Sequence, residues 1–180
     1  MADVWLAEAG GARPALRLRR HGDSGGDGVI ITNKVLFLDV DGVLNNGAWA
    51  MEMYEQGVRV FRDALLYEPS LFQLRRIVEE TGAAIVVSSS WRLDPEAREH
   101  LREWLAKYGM AICDQTPCVG GERGEDITAW FKQHPGRYRY VILDDDDDMG
   151  RHLKHLVRTE FNTGLTIEKA DECILRLGRR

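Results

Sequence analysis

Short apolar runs that stop abruptly at charged or hydroxyl side chains restrict the possible folds of this chain more than any other feature. Three of these runs cover residues 35–38, 83–87 and 140–143. A continuous apolar run of this length is typical of a strand that is covered on both faces. Between the runs, apolar residues recur at the spacing of amphipathic helices. This alternation predicts an α/β fold with a doubly wound parallel sheet of about five strands and right-handed crossovers.

The polar residues that end these runs are predicted to meet at one edge of the sheet. Asp39 and Asp41 follow the first run, Ser88 and Ser89 end the second, and residues 144–145, both aspartates, end the third. In a doubly wound sheet, ligands bind beyond the carboxyl ends of the strands, near the point where the strand order reverses. A sheet built for stability alone has no reason to end three strands in this way. The pattern therefore predicts a functional site.

The aspartates predict a site for a hard divalent cation, namely Mg2+. Two carboxylates as close in sequence as Asp39 and Asp41 repel each other, and taking either out of water is costly without a cation between them. Mg2+ takes oxygen ligands at about 2.0–2.1 Å. The predicted metal ligands are Asp39, Asp144, Asp145 and Asp41, the last through its backbone carbonyl.

The same strand ends predict phosphoryl transfer. The carboxylate of Asp39 would attack phosphorus and form an aspartyl-phosphate intermediate. Asp41 would protonate the leaving oxygen and later activate water. A serine at the end of the second strand, Ser88 or Ser89, would bind the phosphoryl oxygens, and a further cationic side chain is needed to balance the charge of the transferred group.

These motifs resemble those of the haloacid dehalogenase-like (HAD) superfamily. Its first motif, D-x-D-G-(V/T)-(L/I), is matched by residues 39–44, and its fourth, an apolar strand that ends in Asp-Asp, by residues 141–145. The apolar strand that ends in Ser or Thr corresponds to residues 85–89. Arg123 fits the position of the phosphate-binding cation, where Lys is commoner, and Lys132 is the alternative. The resemblance implies a Rossmann-like core and a Mg2+-dependent phosphohydrolase.

The resemblance covers residues 34–177 and extends to a small branch of the superfamily that is associated with RNA-repair multidomain proteins. The stretch Ser-Ser-Ser-Trp-Arg at residues 88–92 is the basis for this branch, whereas Met149 stands where some superfamily members carry a further acidic residue. The sequence leaves Trp91 as either a packing residue or a residue that stacks on substrate. It also leaves Arg92 as either a phosphate ligand or a partner of the acidic loop.

Two segments lie outside the predicted core. Residues 1–28 are rich in glycine and are predicted to be a flexible N-terminal arm, followed by a phosphatase domain over residues 29–180. Residues 46–69 are predicted to form a cap too short to seal the site. Its aromatic residues, such as Trp49 and Tyr54, predict stacking on a nucleobase, and hence a phosphate on a nucleotide or nucleic-acid end as substrate. Alternatively, these residues pack as a lid and the substrate is a small metabolite.

Composition and charge limit which other classes of protein this chain could belong to. The 180 residues are 44% hydrophobic and 29% charged, with a net charge of −5, which argues against broad binding to nucleic acid. No apolar run reaches the roughly 20 residues that span a bilayer, and no signal peptide is visible, so a cytoplasmic location is expected. The three cysteines are expected to be reduced.

A signalling receiver and a catalytically idle binding module are the alternatives from other classes. Protein partners are not predicted.

Overall fold

The protein is described by a computed structural model, which covers residues 32–60 and 65–180; the predicted arm of residues 1–28 lies outside the described residues. Within these described residues, a five-stranded sheet forms the centre, and all its strand pairs are parallel. The strands, in chain order, are β1 (Lys34–Leu38), β2 (Ala84–Val87), β3 (Ile112–Gln115), β4 (Arg139–Asp144) and β5 (Leu156–Arg158). They lie side by side in the order β3-β2-β1-β4-β5.

Five α-helices connect or flank these strands. They are α1 (Gly47–Glu55), α2 (Glu68–Thr81), α3 (Pro95–Lys107), α4 (Arg123–Gln133) and α5 (Ile167–Leu177). Short 3-10 helices follow β2 (Ser90–Leu93) and precede β5 (Gly150–His155). Among the described residues, no helix is long and apolar enough to cross a membrane.

The two faces of the sheet carry separate cores, which confirms the predicted doubly wound α/β fold. On β1, Leu36 and Leu38 face a core that contains residues of α2, α3 and α5. Val35 and Phe37 face the opposite core, where the ring of Phe37 meets Trp130 of α4 edge-on at a centroid distance of 5.3 Å. Successive side chains of a strand point to opposite faces, so a strand between two helical layers must be apolar throughout. This is why the strand runs show no polar alternation.

Local signals set most of the helix ends as the sequence predicts. Asp94 caps α3 through hydrogen bonds that Glu96 N and Ala97 N donate to its Oδ1, and Gly82 ends α2 in the left-handed region at φ 69°. Ser70, although serine is a common N-cap residue, lies within α2 and does not cap it. The helix begins at Glu68 with Pro69 in its first turn, where a missing N–H costs nothing.

Among the described residues of the cap segment, Gly47–Glu55 form a helix, α1, that the sequence pattern did not indicate. Asn46 caps it by accepting a 2.9 Å hydrogen bond from Trp49 N to its side-chain oxygen. Gly47 N donates to the carbonyl of Phe161, so the loop after β5 anchors the start of the helix. A Cβ on Gly47 would lie 2.6 Å from Asn162 Oδ1, so glycine permits this close approach. None of the residues of α1 is buried, and the helix therefore stands at the surface.

Candidate active site

The predicted aspartates lie where the order of the strands reverses. The chain passes from β1 outward to β2 and β3, then returns to the other side of β1 with β4, so the switch point falls between β1 and β4. The two strands pair in register, with Leu38 opposite Leu143. Asp39 N donates a 3.0 Å hydrogen bond to the Leu143 carbonyl, which extends the pairing past the end of β1. Both acidic motifs thus leave the sheet side by side.

Three carboxylates come together at this switch point. Asp39, Asp144 and Asp145 each offer an oxygen, and these oxygens lie within 4.8 Å of one another. Asp39 and Asp144 are buried, whereas Asp145 is partly exposed. Burial raises the pKa of Asp39 to about 6 and that of Asp144 to about 8; the charge of Arg123 opposes both shifts, and nearby carboxylates such as Asp145 add to them. The cluster therefore holds its negative charge only when a positive charge is close.

Arg123 supplies part of that positive charge from the first residue of α4. Its Nη1 donates to Asp39 Oδ1 at 2.8 Å and to the Ser88 carbonyl at 2.7 Å, and its Nε lies 3.0 Å from Asp144 Oδ2. Three ionised carboxylates and one guanidinium leave a net charge of −2. A divalent cation matches this charge, and oxygen donors are those that Mg2+ prefers.

One buried oxygen of the cluster supports the same fit. Asp144 Oδ2 is buried and makes no hydrogen bond within the described part of the chain, although it lies 3.0 Å from Arg123 Nε in an ion pair. Asp144 Oδ1, in contrast, accepts a 3.1 Å hydrogen bond from Asp146 N. Since a carboxylate oxygen has two lone pairs, Asp144 Oδ2 keeps acceptor capacity beyond its contact with Arg123, at the place where the cation is predicted.

Gly42 is required by the approach of Asp145. It adopts a φ of 73°, and a Cβ built on it would lie 2.4 Å from Asp145 Cγ. Two separate constraints, the left-handed backbone and the packed carboxylate, thus exclude a side chain at this position. The glycine of the D-x-D-G motif consequently allows the first acidic motif to pack directly against the second.

Asp41 is not one of the three clustered carboxylates, and its own carboxylate is held by neutral donors. Asn45 Nδ2 donates to its Oδ1 at 2.8 Å, and the indole Nε1 of Trp91 donates to its Oδ2 at 2.9 Å. Asn45 also accepts a hydrogen bond from Gly42 N, so the turn after β1 is closed by the same amide. Asp41 itself is half-buried.

The contact of Trp91 with Asp41 is a feature that sequence reasoning missed. The predicted alternatives were packing and stacking, and Trp91 is indeed buried in the core under the site. The sequence signal lies in the chemistry of indole, because a buried tryptophan N–H needs an acceptor. Only the fold brings the carboxylate of Asp41 within reach of it.

Both predicted phosphate-binding serines are buried at the end of β2, next to Asp39. Ser89 makes a side-chain hydrogen bond to the Asp39 carboxylate, and its Oγ also accepts from Trp91 N. Ser88 Oγ, in contrast, has no hydrogen-bond partner among the residues described. An unsatisfied buried hydroxyl beside a cationic group is suited to a phosphoryl oxygen.

Arg92 takes neither of the two roles that the sequence left open. It is buried, and its Nη1 donates to the carbonyls of Ser88 and Ser89, while its Nη2 pairs with Asp126 of α4. Its Nε donates to the Thr116 carbonyl at 3.0 Å. The guanidinium therefore faces inward and ties together the end of β2, the end of β3 and the start of α4.

The structure also separates the two candidate cations. Arg123 lies at the carboxylates, whereas Lys132 is exposed in the last turn of the same helix. The acidic loop fixes the start of α4, since Asp148 accepts hydrogen bonds from the backbone N–H groups of Arg123 and Gly124. A Cβ on Gly124 would lie 2.3 Å from the Met149 carbonyl oxygen. The helix and the loop are thus in direct backbone contact.

Comparison with known proteins agrees with this geometry. A family model described as the HAD domain in Swiss Army Knife RNA repair proteins matches residues 35–170. No curated protein matches the chain, and no solved structure does. The matched range begins in β1 and ends within α5, so it spans the whole sheet and the site.

Proposed function

Because the chain belongs to the family of HAD domains in Swiss Army Knife RNA repair proteins, we propose that it is a Mg2+-dependent phosphatase that acts through an aspartyl-phosphate intermediate. Family membership supports a HAD-type hydrolase in general. The finer proposal is carried by one observation, namely the cluster of Asp39, Asp144 and Asp145 with Arg123 at the switch point of the sheet.

Asp39 is the proposed nucleophile. A carboxylate oxygen of Asp39 attacks phosphorus, the bond from phosphorus to the ester oxygen breaks, and the ester oxygen leaves with the bonding electrons. The hydrogen bonds from Arg123 and Ser89 orient the carboxylate of Asp39. Water then attacks the phosphorus of the aspartyl phosphate, which releases inorganic phosphate and restores Asp39.

Asp41 is the proposed general acid and base. It gives its proton to the leaving oxygen in the first step and takes a proton from the attacking water in the second. It is two residues from the nucleophile, on the same turn, and the donors Asn45 and Trp91 hold its carboxylate. This position supports a role on the reacting groups rather than on the cation.

Arg123, Ser88 and Ser89 are the proposed phosphate-binding residues. Arg123 spans Asp39 and Ser88, so its guanidinium lies between the nucleophile and the end of β2. The open hydroxyl of Ser88 supports a further donor to a phosphoryl oxygen. Fixed donors of this kind stabilise charge that develops in the transition state.

The donor set fits Mg2+. Asp39, Asp144 and Asp145, together with the backbone carbonyl of Asp41, would hold the ion. When bound, Mg2+ supplies positive charge that neutralises the carboxylates and the phosphoryl oxygens together.

For the substrate, we propose a terminal phosphate on a nucleotide or nucleic-acid end. The matched family takes its description from RNA repair proteins, and the short cap supports access by a large substrate. Tyr54 is exposed on α1, and the guanidinium of Arg59 lies 4.0 Å from its ring centroid. An aromatic ring can stack on a base and a guanidinium can meet a backbone phosphate. A small phosphorylated metabolite is the alternative substrate.

Turnover of p-nitrophenyl phosphate, measured with Mg2+ and with a chelator, tests the reaction. We expect turnover that requires the cation and that Asp39→Asn abolishes, because an amide cannot form the acyl phosphate. Retention of a tenth of the wild-type kcat, a barrier change of about 1.4 kcal/mol, would contradict the nucleophile. A protein that becomes phosphorylated without turnover would be a receiver, and one that is inert would be a binding module.

The substrate class is tested by kcat/KM on phosphate-ended oligonucleotides against sugar phosphates. We expect the oligonucleotides to be better substrates by at least about fivefold, which corresponds to one stacked base at the low end of about 1 kcal/mol. Equal values for the two classes would favour the metabolite phosphatase instead.

A further inference from the structure

The carboxylate of Asp41 accepts one hydrogen bond on each oxygen from a neutral donor. Asn45 Nδ2 reaches Oδ1 at 2.8 Å and Trp91 Nε1 reaches Oδ2 at 2.9 Å. Because both donors are uncharged, they fix the orientation of the carboxylate without the strong charge pairing that Arg123 gives to Asp39. The two aspartates of one motif are therefore held by chemically different partners.

The donor Trp91 is itself rigid. Its ring is buried in the core, and its backbone N–H donates to Ser89 Oγ. The next residue, Arg92, binds the Ser88 and Ser89 carbonyls and Asp126. One turn of chain, the 3-10 helix Ser90–Leu93, therefore carries the indole and fixes it relative to the proposed phosphate-binding serines.

We propose that Trp91 is a positioning residue for the general acid, which it holds through its indole N–H in the orientation needed to protonate the leaving oxygen. The proposal rests on the function proposed for Asp41. A carboxyl group that is free to rotate spends less time in reach of the leaving oxygen, and misplacement of a catalytic group by about 1 Å is enough to slow a reaction markedly. The contribution of Trp91 is thus made through Asp41 and not through the phosphate.

The test replaces the indole while keeping an aromatic ring, with the variant Trp91→Phe. Its kcat/KM is measured on p-nitrophenyl phosphate, whose leaving group needs little protonation, and on phenyl phosphate, whose leaving group needs more. We expect a loss of about tenfold on phenyl phosphate, which corresponds to one hydrogen bond to a charged group, and a smaller loss on p-nitrophenyl phosphate. Because kcat/KM reports the steps up to phosphoryl transfer, hydrolysis of the intermediate does not enter.

Trp104→Phe is the matched control. Its indole N–H donates to His100 within α3, and the ring is partly buried, so the same substitution removes a similar bond away from the site. We expect kcat/KM on both substrates to stay within about twofold of the wild type, as for substitutions away from special sites.

A double variant separates positioning from a general loss of structure. If Trp91 acts through Asp41, Trp91→Phe changes kcat/KM little once Asp41→Asn is already present. An equal loss with and without Asp41→Asn, or equal losses on both leaving groups, would overturn the positioning role. If the wild type turns over neither ester, the proposed phosphatase function fails first, and the positioning role fails with it. Wild-type turnover with an unaffected Trp91→Phe variant overturns the positioning role alone.

Discussion

Arg123 is the residue on which the charge balance of the site depends most. It is the described guanidinium that contacts both Asp39 and Asp144, and it also holds the Ser88 carbonyl. We expect Arg123→Ala to lower kcat/KM by about 100-fold, the usual effect of removing one donor to a developing oxyanion. Lys132→Ala, on the exposed end of the same helix, is the matched control and should leave kcat/KM within about twofold. The reverse pattern would make Lys132 the phosphate-binding cation.

Alanine substitutions of Ser88 and Ser89 are expected to affect phosphate binding and folding stability to different extents. Ser88→Ala should lower kcat/KM by about tenfold with little change in the free energy of unfolding, because its Oγ has no hydrogen-bond partner to lose among the described residues. Ser89→Ala also removes a cap of the 3-10 helix, so it should destabilise by about 1 kcal/mol. Steady-state kinetics and urea unfolding of both variants check this, and an unchanged kcat/KM for Ser88→Ala would remove that residue from the phosphate site.

Sequence reasoning located single residues well where a role follows from residue type and spacing. Asp39, Asp144 and Asp145 could be named because each follows an apolar run directly, and the structure brings them together. The roles of Trp91 and Arg92 could not be named. Their partners, Asp41 and Asp126, are distant in sequence, and a hydrogen bond between distant residues leaves no local pattern.

At the scale of elements, the pair of Arg92 and Asp126 docks α4 onto the end of β2. Both side chains are buried, and Arg92 also satisfies the carbonyls of Ser88, Ser89 and Thr116. We expect Arg92→Met to lower the free energy of unfolding by about 3 kcal/mol, because it leaves a buried carboxylate unpaired. Arg75→Met is the control, since its pair with Glu79 is exposed and is worth about 0–1 kcal/mol. Urea unfolding measures both, and equal effects would refute the docking role.

The proposed contact between helix α1 and a large substrate can be tested at Tyr54. Tyr54→Ala removes an exposed ring and should raise the KM of a phosphate-ended oligonucleotide by about tenfold, while the KM of p-nitrophenyl phosphate stays unchanged. Leu175→Ala removes an exposed apolar side chain from α5 and serves as the control for a general surface effect. If the oligonucleotide KM is unchanged in Tyr54→Ala, stacking on α1 has no part in binding.

The elements were predictable to different extents for physical reasons. Strands buried on both faces have a strong apolar signature, and α5 has both a cap and an amphipathic pattern, so its bounds follow from the sequence. In α1 nothing is buried, so no apolar periodicity exists, and its position depends on the contact of Gly47 with the loop that carries Phe161. The sequence predicts a doubly wound sheet but not the order of its strands, because that order depends on how the connecting helices pack against the sheet.

At the scale of the whole molecule, the acidic cluster links folding stability to pH and to the cation. The pKa of Asp144 is raised from 3.8 to about 8 in the folded protein, so the native state holds a proton that the unfolded state has lost. The contribution of Asp144 to the stability of the metal-free protein therefore falls as pH rises from about 4 through about 8, and it levels off above the folded pKa. The lowered pKa values of His152 and His155 act in the opposite direction, but only at lower pH, where the unfolded histidines are charged.

We therefore expect the melting temperature in a chelator to be lower at about pH 8.5 than at about pH 7, since unfolded Asp and His side chains titrate below this range. Added Mg2+ should raise the melting temperature more at the higher pH, because it binds the ionised carboxylates. Asp144→Asn removes the titrating group and should flatten the pH dependence in chelator. A melting temperature that rises with pH in the chelated wild type would contradict the role of the cluster.

Because β1 lies at the centre of the sheet, its amides are expected to exchange with solvent at a different rate from those of the surface helix α1. Its backbone is paired to β2 on one side and β4 on the other, and its side chains are buried on both faces from Val35 onward. Amides in such a strand exchange only when the whole protein opens, whereas a surface helix such as α1, with no buried residue, can open alone. The proposed nucleophile thus follows a strand whose amides are expected to exchange last, whereas the amides of α1 are expected to exchange early. Local opening of α1 is therefore expected to leave the carboxylates at the end of β1 in place.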